Sequence, residues 1–301
     1  MDIPALKTFC RAVETGNLST AAVAMHITKS VASRRIRALE DDLGVRLLRR
    51  TTRGVSTTPE GADFYERASR ILDDLDDARQ SIKGEEGALA GRLKVTAPRA
   101  FTDLVLGPIF GDFAAENPEL DIELALSDSR TDVMAGGFDL ALRITRELDD
   151  TSFISRKLAP IHNHVVATPA FIEKYGAPET PDDLSQLPCL YYANLSAAKA
   201  WRFMDGDDIV SVRVSGRLMT NSGEMQKQFA LSHQGVAILP WFFVRDEVES
   251  GALVPLLEDY PVPPSYLFAL YPERRHNPVR VKRLIDTLQA RLKDDRFTSL
   301  L

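Results

Sequence analysis

Residues 29–43 read as one helix with two incompatible faces. Ala32, Ile36, Leu39 and Leu43 recur at spacings of four, three and four, the period of an apolar helix stripe. Ser30, Ser33, Arg34 and Arg37 fall on the opposite side. Such a helix must bury one side against neighbours and offer the other to something polar. The neighbours lie upstream. Leu6, Phe9, Cys10 and Val13 predict a first helix, which Gly16 breaks. Asn17 or Ser19 caps a second helix holding Ala21, Ala22, Ala24 and Met25, and His26-Ile27-Thr28 is a tight connection. After Gly44, Val45–Arg50 and Val55–Thr58 predict paired strands joined by Thr51-Thr52-Arg53-Gly54. Residues 1–58 are therefore expected to form a helix-turn-helix with a basic wing.

Charge separates this module from the rest. Residues 1–58 hold ten Lys or Arg against five Asp or Glu, a net of +5, so the chain's −6 leaves −11 on the remainder. A short basic module on an acidic body is the electrostatic pattern of a nucleic-acid binder that carries a second function. Phosphates attract the module, and the acidic body discourages nonspecific coating of DNA.

A second segment, 59–90, begins with Thr58 as cap, Pro59 at the first helical position and Glu60 in the first turn. Phe64, Ala68, Ile71, Leu75, Ala78 and Ile82 then step as a heptad seam, which predicts a helix paired with its own copy. Asp73, Asp74, Asp76 and Asp77 read as a solvated face, and glycines 84, 87 and 91 as a hinge.

From residue 91 to 301 strands and helices alternate. Leu93–Thr96, Leu120–Leu126, Asp139–Leu142, His164–Thr168, Val236–Pro240 and Leu267–Leu270 predict strands; Phe101–Phe113 and Val279–Leu292 predict helices, the second closing the chain. The rhythm implies an α/β body with largely parallel sheets. Its length suits two subdomains around a cleft, one of about 91–161 and 267–301 and one of about 162–266.

The stretch "STAAVAMHITKSVASRRIRALEDDLGVRLLRRTTRGV", continued by "TTPEGADFYERA", resembles the LysR-type transcriptional regulators. "GRLKVTAP", "FDLALRI" and "GVAILPWFFV" are similar, in the same order, to that family's effector domain, built like a type 2 periplasmic binding protein. The resemblance implies an α+β multidomain protein: winged helix-turn-helix, linker helix, then a two-subdomain α/β effector domain. It further implies a homotetramer, a dimer of dimers on neighbouring sites. The chain departs from the family at Lys29, Ser30 and Leu48, where Gln, Pro and Phe are more usual. Lys29 falls where base edges are met, so the departure bears on operator preference.

At the DNA end, Thr28, Ser30 and Ser33 are small and polar where a recognition helix approaches closely. Lys29 and Arg34 can reach guanine O6 and N7, while Arg35 and Arg37 suit phosphates. Arg50, Thr52 and Arg53 belong to the wing, and Arg53 suits the minor groove. Each module reads a half-site, so two copies are required, roughly one helical turn or a multiple apart.

In the body, Pro98, Arg99, Phe101 and Thr102 open a helix after the first strand, and Asn221 and Ser222 open another. Helix N-termini favour anions. Arg143 ends the FDLALR strand, and Ser127 and Asn194 are neighbouring polar candidates. Phe101, Tyr192 and Val236 are candidate apolar walls. The expected effector is a small organic anion, a metabolic carboxylate, and no cofactor is expected. The sequence contains no His-Glu-x-x-His, Walker, Gly-x-Ser-x-Gly or dinucleotide glycine motif, so no enzyme is expected. His162 and His164 are two ligands at most, short of a metal site. Cys10 and Cys189 make no disulfide framework; the alternative to an effector-controlled regulator is a DNA-binding regulator with no small-molecule effector or with a redox input at Cys189. No apolar run reaches the roughly 18 residues of a membrane span, and MDIPALKTFC is no secretory signal. The expected setting is bacterial cytoplasm, and the expected partners are promoter DNA, further copies of the chain and RNA polymerase.

Overall fold

In the computed structural model the described residues are 1–51, 54–83, 89–128, 137–148, 153–193, 200–272 and 278–301; the side chains of 50, 51, 73 and 76–83 are not among them. The wing-tip residues Thr52 and Arg53, and Asn194, thus lie outside the described residues, as do the side chains of Arg50, Ala78 and Ile82. Contacts divide the chain into residues 1–91 and 92–301.

The first unit starts with α1 (Ile3–Thr15), whose first turn is closed by Asp2 accepting the Ala5 amide at 2.7 Å. Asn17 rather than Ser19 caps α2 (Leu18–Ala24). Thr28 caps α3 (Lys29–Leu43), and Gly44, at φ 69°, closes that helix with its amide on the Glu40 carbonyl. The strands β1 (Leu48–Thr51) and β2 (Gly54–Thr57) pair antiparallel as the wing. Gly54 is required there by space: a Cβ would lie 2.1 Å from the Gly16 carbonyl oxygen, which accepts the neighbouring Val55 amide.

The core of this unit joins Leu6, Phe9 and Cys10 of α1 to Leu39 of α3, Leu47, and Ala68 of α4 (Pro59–Lys83). Two expectations change here. Leu43, placed inward by the stripe, is 36% exposed, and the buried position of the last turns is taken by Glu40. The Glu40 carboxylate accepts the Leu47 and Leu48 amides at 2.9 and 3.1 Å and pairs with Arg46 at 2.8 Å. It is buried because it satisfies backbone donors at the start of the wing, which no leucine can do. Second, Phe64 and Ala68 of the heptad seam pack on their own unit, Phe64 against Phe9 at 5.5 Å. Ile71, 53% exposed, is the first seam residue left open.

The second unit has two lobes. In the first, β3 (Ala90–Ala97), β4 (Glu119–Leu126), β5 (Leu140–Thr145) and β6 (Phe153–Ile161) form a five-stranded sheet with a strand contributed from the chain's far end. The second lobe contains β7 (Asn163–Ala167), α7 (Pro169–Tyr175), β8 (Pro188–Tyr192), the hairpin β9 (Ala200–Asp205) and β10 (Asp208–Arg213), β11 (Ser215–Thr220), α8 (Gly223–Leu231), β12 (Ala237–Pro240), α9 (Trp241–Glu249) and β13 (Val254–Leu256). The chain then returns as β14 (Ser265–Pro272), giving the first-lobe order β4-β3-β5-β14-β6, and ends in α10 (Val279–Arg291) and α11 (Asp295–Thr298). Val279–Leu292 is therefore not the last helix.

The sheets are not largely parallel. β3 with β5 and β8 with β11 are parallel, but β14 runs antiparallel to β5 and β6, and β7 antiparallel to β12 and β13. The physical reason is the double crossing between lobes. β14 re-enters the first sheet from the opposite end, so it opposes both neighbours.

The helix expected over Phe101–Phe113 is divided. Arg99–Phe101 (α5) passes into a π turn, Thr102–Leu106, before α6 (Gly107–Glu116). Pro108 supplies no amide, and its ring crowds the carbonyl four residues back. The ladder widens instead, with the Gly107 amide reaching the Thr102 carbonyl.

Candidate nucleic-acid interface and effector pocket

The outer face of α3 is built by its inner one. Ala32, Ile36, Leu39 and Glu40 are buried, which fixes the helix rotation and leaves Thr28, Lys29, Ser30, Arg34 and Arg37 exposed, with Ser33 half-buried. The Thr28 hydroxyl accepts the Val31 amide and lies 2.9 Å from the Ser30 hydroxyl, so these small groups hold the helix start. Among the described residues, the Lys29, Arg34 and Arg37 side chains take part in no hydrogen bond or ion pair. Three long cations therefore project without internal partners, as phosphate and base-edge contacts require. Arg35 does not join them. Its half-buried guanidinium donates to the Thr8 hydroxyl of α1 at 3.4 Å, an internal partner that the outward cations lack among the described residues. Sequence missed this because Arg35 lies at the border of the two faces.

In the body, the strand ends of the first lobe bring several predicted residues together. The Arg143 guanidinium donates to the Thr96 hydroxyl at 3.2 Å and to the Leu142 carbonyl at 2.8 Å. Burial pushes its pKa down from the ordinary arginine value, and the charge of Asp128 opposes that shift. The Arg99 backbone amide donates to the Asp128 carboxylate at 3.0 Å, and its side chain reaches the Leu126 carbonyl at 3.3 Å. Pro98 precedes the helix without a side-chain cap bond. The Ser127 amide bonds to the Ala97 carbonyl. Thr102 is 4% exposed, and its hydroxyl has no hydrogen-bond partner among the described residues. Asp128 and Thr96 were not among the sequence candidates. Asp128 answers a donor that the sequence reading left for an external anion.

Other candidates are placed elsewhere. Ser222 caps α8 by accepting the Met225 amide, and its own amide bonds to Thr220; Asn221 beside it is exposed. Phe101 is 1% exposed and stacks edge-on against Phe242 at 5.1 Å, a contact between lobes rather than an open wall. Val236 is fully buried in the second-lobe core beside Cys189 and Val165. Both are apolar residues whose sheet and helix positions face packed neighbours, which local pattern does not reveal. Cys189 is likewise in that core, and burial pushes its thiol up to about 12. Such a thiol stays protonated and shielded, against a redox role. His162 falls between β6 and β7, while His164 packs on Trp241 at 4.9 Å. Among the described residues no group of three or more His, Cys, Asp or Glu is arranged to hold a metal, and no helix is long and apolar enough to cross a membrane.

Comparison with known proteins accounts for both units. Residues 3–62 match the bacterial regulatory helix-turn-helix protein, lysR family, and residues 86–293 match the LysR substrate binding domain. An HTH-type transcriptional regulator of Haemophilus influenzae is 35% identical, with 92% of this chain and 96% of that protein covered. The HTH-type transcriptional regulator PtxR of Pseudomonas aeruginosa is 32% identical, with 97% and 93% covered. The solved structure of CrgA, a LysR-type transcriptional regulator from Neisseria meningitidis, superposes with a TM-score of 0.60 at 29% identity, covering 98% of this chain and all of that one. The outward cations of α3, the wing and the two-lobed body thus have one common explanation: the chain belongs to the LysR-type transcriptional regulators, DNA-binding proteins rather than enzymes.

Proposed function

We infer that this regulator binds promoter DNA as a dimer or tetramer, in the bacterial cytoplasm, under control of a small organic anion held at the first-lobe strand ends. The observation that carries the DNA reading is the set of cations Lys29, Arg34 and Arg37 on one face of α3, without partners among the described residues. A duplex offers phosphates and guanine edges to such a face. Two copies are needed to read two half-sites, and the exposed seam residue Ile71 of α4 suits a helix pair. A titration of the chain's own upstream fragment across salt concentration tests this; a monomer indifferent to that fragment at low salt overturns it.

The effector reading is supported by the half-buried Arg143, the unsatisfied Thr102 hydroxyl and the adjoining Arg99. Asp128 favours one refinement: a carboxylic acid that also carries a hydroxyl or amine, able to meet Arg143 and Asp128 together. A ligand that prefers one lobe arrangement changes the spacing of DNA-binding modules and so the access of RNA polymerase; equal binding to both changes nothing. Thermal-shift titration with mono-, hydroxy- and amino-carboxylates should reveal stabilisation that Arg143→Ala removes. Identical shifts in the wild type and Arg143→Ala would exclude Arg143 from the site.

A further inference from the structure

The two lobes of the body are joined by two strands of backbone, and a third segment reaches them both. β6 ends at Ile161 and β7 begins at Asn163, so His162 is the single residue between lobes on the outward crossing. The return crossing runs from Leu256 to Ser265. Asn163 ties one crossing to the other, its amide group donating to the Ser265 hydroxyl and the Ile161 carbonyl, both at 3.4 Å.

The His162 backbone is held at both polar atoms. Its amide donates to the Leu301 carbonyl at 2.7 Å, and its carbonyl accepts the Trp241 amide at 2.9 Å. Trp241 opens α9 of the second lobe and packs at the edge of that lobe's core. Its indole N–H donates to the Ser299 carbonyl at 3.1 Å, and its ring lies on His164. Residues 295–301 follow α10, which packs on α6 and β6 of the first lobe, and Phe297 and Leu301 are buried. The segment therefore starts from one lobe, bonds to the crossing and bonds again to the other lobe.

We propose that residues 295–301 are a hinge strap: they hold the crossing at His162 and the start of α9 in one arrangement and set how readily the lobes move apart. Rotation of one lobe against the other changes backbone torsions at the crossings. The Leu301–His162 and Ser299–Trp241 bonds exist only while crossing, strap and α9 keep their present arrangement. They bias the equilibrium toward it, as any interaction peculiar to one state must. The regulatory consequence rests on the effector reading above, but the strap itself is testable without ligand or DNA.

Hydrogen exchange on the full chain, read by mass spectrometry over residues 158–166, is the experiment. Trp241→Phe keeps an aromatic ring while removing the indole donor and part of the ring's packing. A chain ending after Asp294 removes the strap. Both are expected to speed exchange of the His162 region by about two- to tenfold, the loss of one or two ordinary hydrogen bonds, while the core strand β8 keeps its protection. The chain has two tryptophans, so in Trp201→Phe the remaining Trp241 emission should become more quenchable by acrylamide when the strap is cut. Unchanged exchange at 158–166 in folded Trp241→Phe overturns the strap. So does a lowered melting temperature of the truncated chain with unchanged exchange, which would make the segment merely stabilising. A regulator that answers no carboxylate but shows faster exchange would sink the effector reading and leave the strap standing.

Discussion

The exposed face of α3 and the strand-end cluster of the body use the same residue types in opposite ways. On the outer face of α3, Lys29, Arg34 and Arg37 have no partners among the described residues. In the body Arg143 is bound to Thr96 and Leu142, and the Arg99 amide is bound to Asp128. The difference follows from solvent. A cation in water waits for a phosphate at little cost, but a half-buried one must be satisfied in the free protein. A surface that reads a polyanion can thus be left open, whereas the half-buried cations of the body are satisfied within the chain.

The largest test of that contrast is Glu40, a buried acid of the DNA unit. Glu40→Ala strands the Leu47 and Leu48 amides at the start of the wing. It should cost about 3 kcal/mol in denaturant unfolding, with DNA affinity falling alongside. Arg34→Ala should behave in the opposite manner. Affinity for a matched site is expected to drop by about 1–3 kcal/mol in a binding titration, with stability within about 0.5 kcal/mol of the parent. A large loss of stability there would break the idea of an unpartnered face.

Smaller effects sharpen the same line. Arg37→Ala should weaken binding to all sequences and reduce the salt slope by about 1. Arg35→Ala should change the slope less than Arg37→Ala and lower stability slightly, because its guanidinium donates to Thr8. Least of all is expected from Cys189. Its thiol is raised from 9.0 to about 12 by burial, so the folded chain should resist iodoacetamide at pH 8. The sign of the linkage is set by that rise. The unfolded chain ionises first, so this contribution to stability is complete below about pH 9 and is lost as pH climbs toward 12. Unfolding titrations at pH 8 and pH 10.5, with Cys189→Ser as reference, measure it.

Much of the DNA unit was legible in the chain. Local spacing places Ala32, Ile36 and Leu39 inward and Arg34 and Arg37 outward, since both sides belong to one helix. The π turn at Thr102–Leu106 was not legible as such, although Gly107-Pro108 signals a break in the ladder. Phe101 and Val236 looked like walls because apolar residues near strand ends carry no mark of what covers them. Asp128 went unnoticed because its partner, the Arg99 amide, is a backbone group on another element.

What the sequence determined is what neighbouring residues settle among themselves: helix faces, the cap at Thr58, and the charge divide between the two units. What only the tertiary structure decided is which groups from distant segments meet. Glu40 under the wing, Arg143 on Thr96, and Leu301 on His162 join residues whose separation in the chain gives no clue to their meeting. Periodicity is a local property of the backbone, but the satisfaction of a buried donor depends on whatever chain the fold brings beside it.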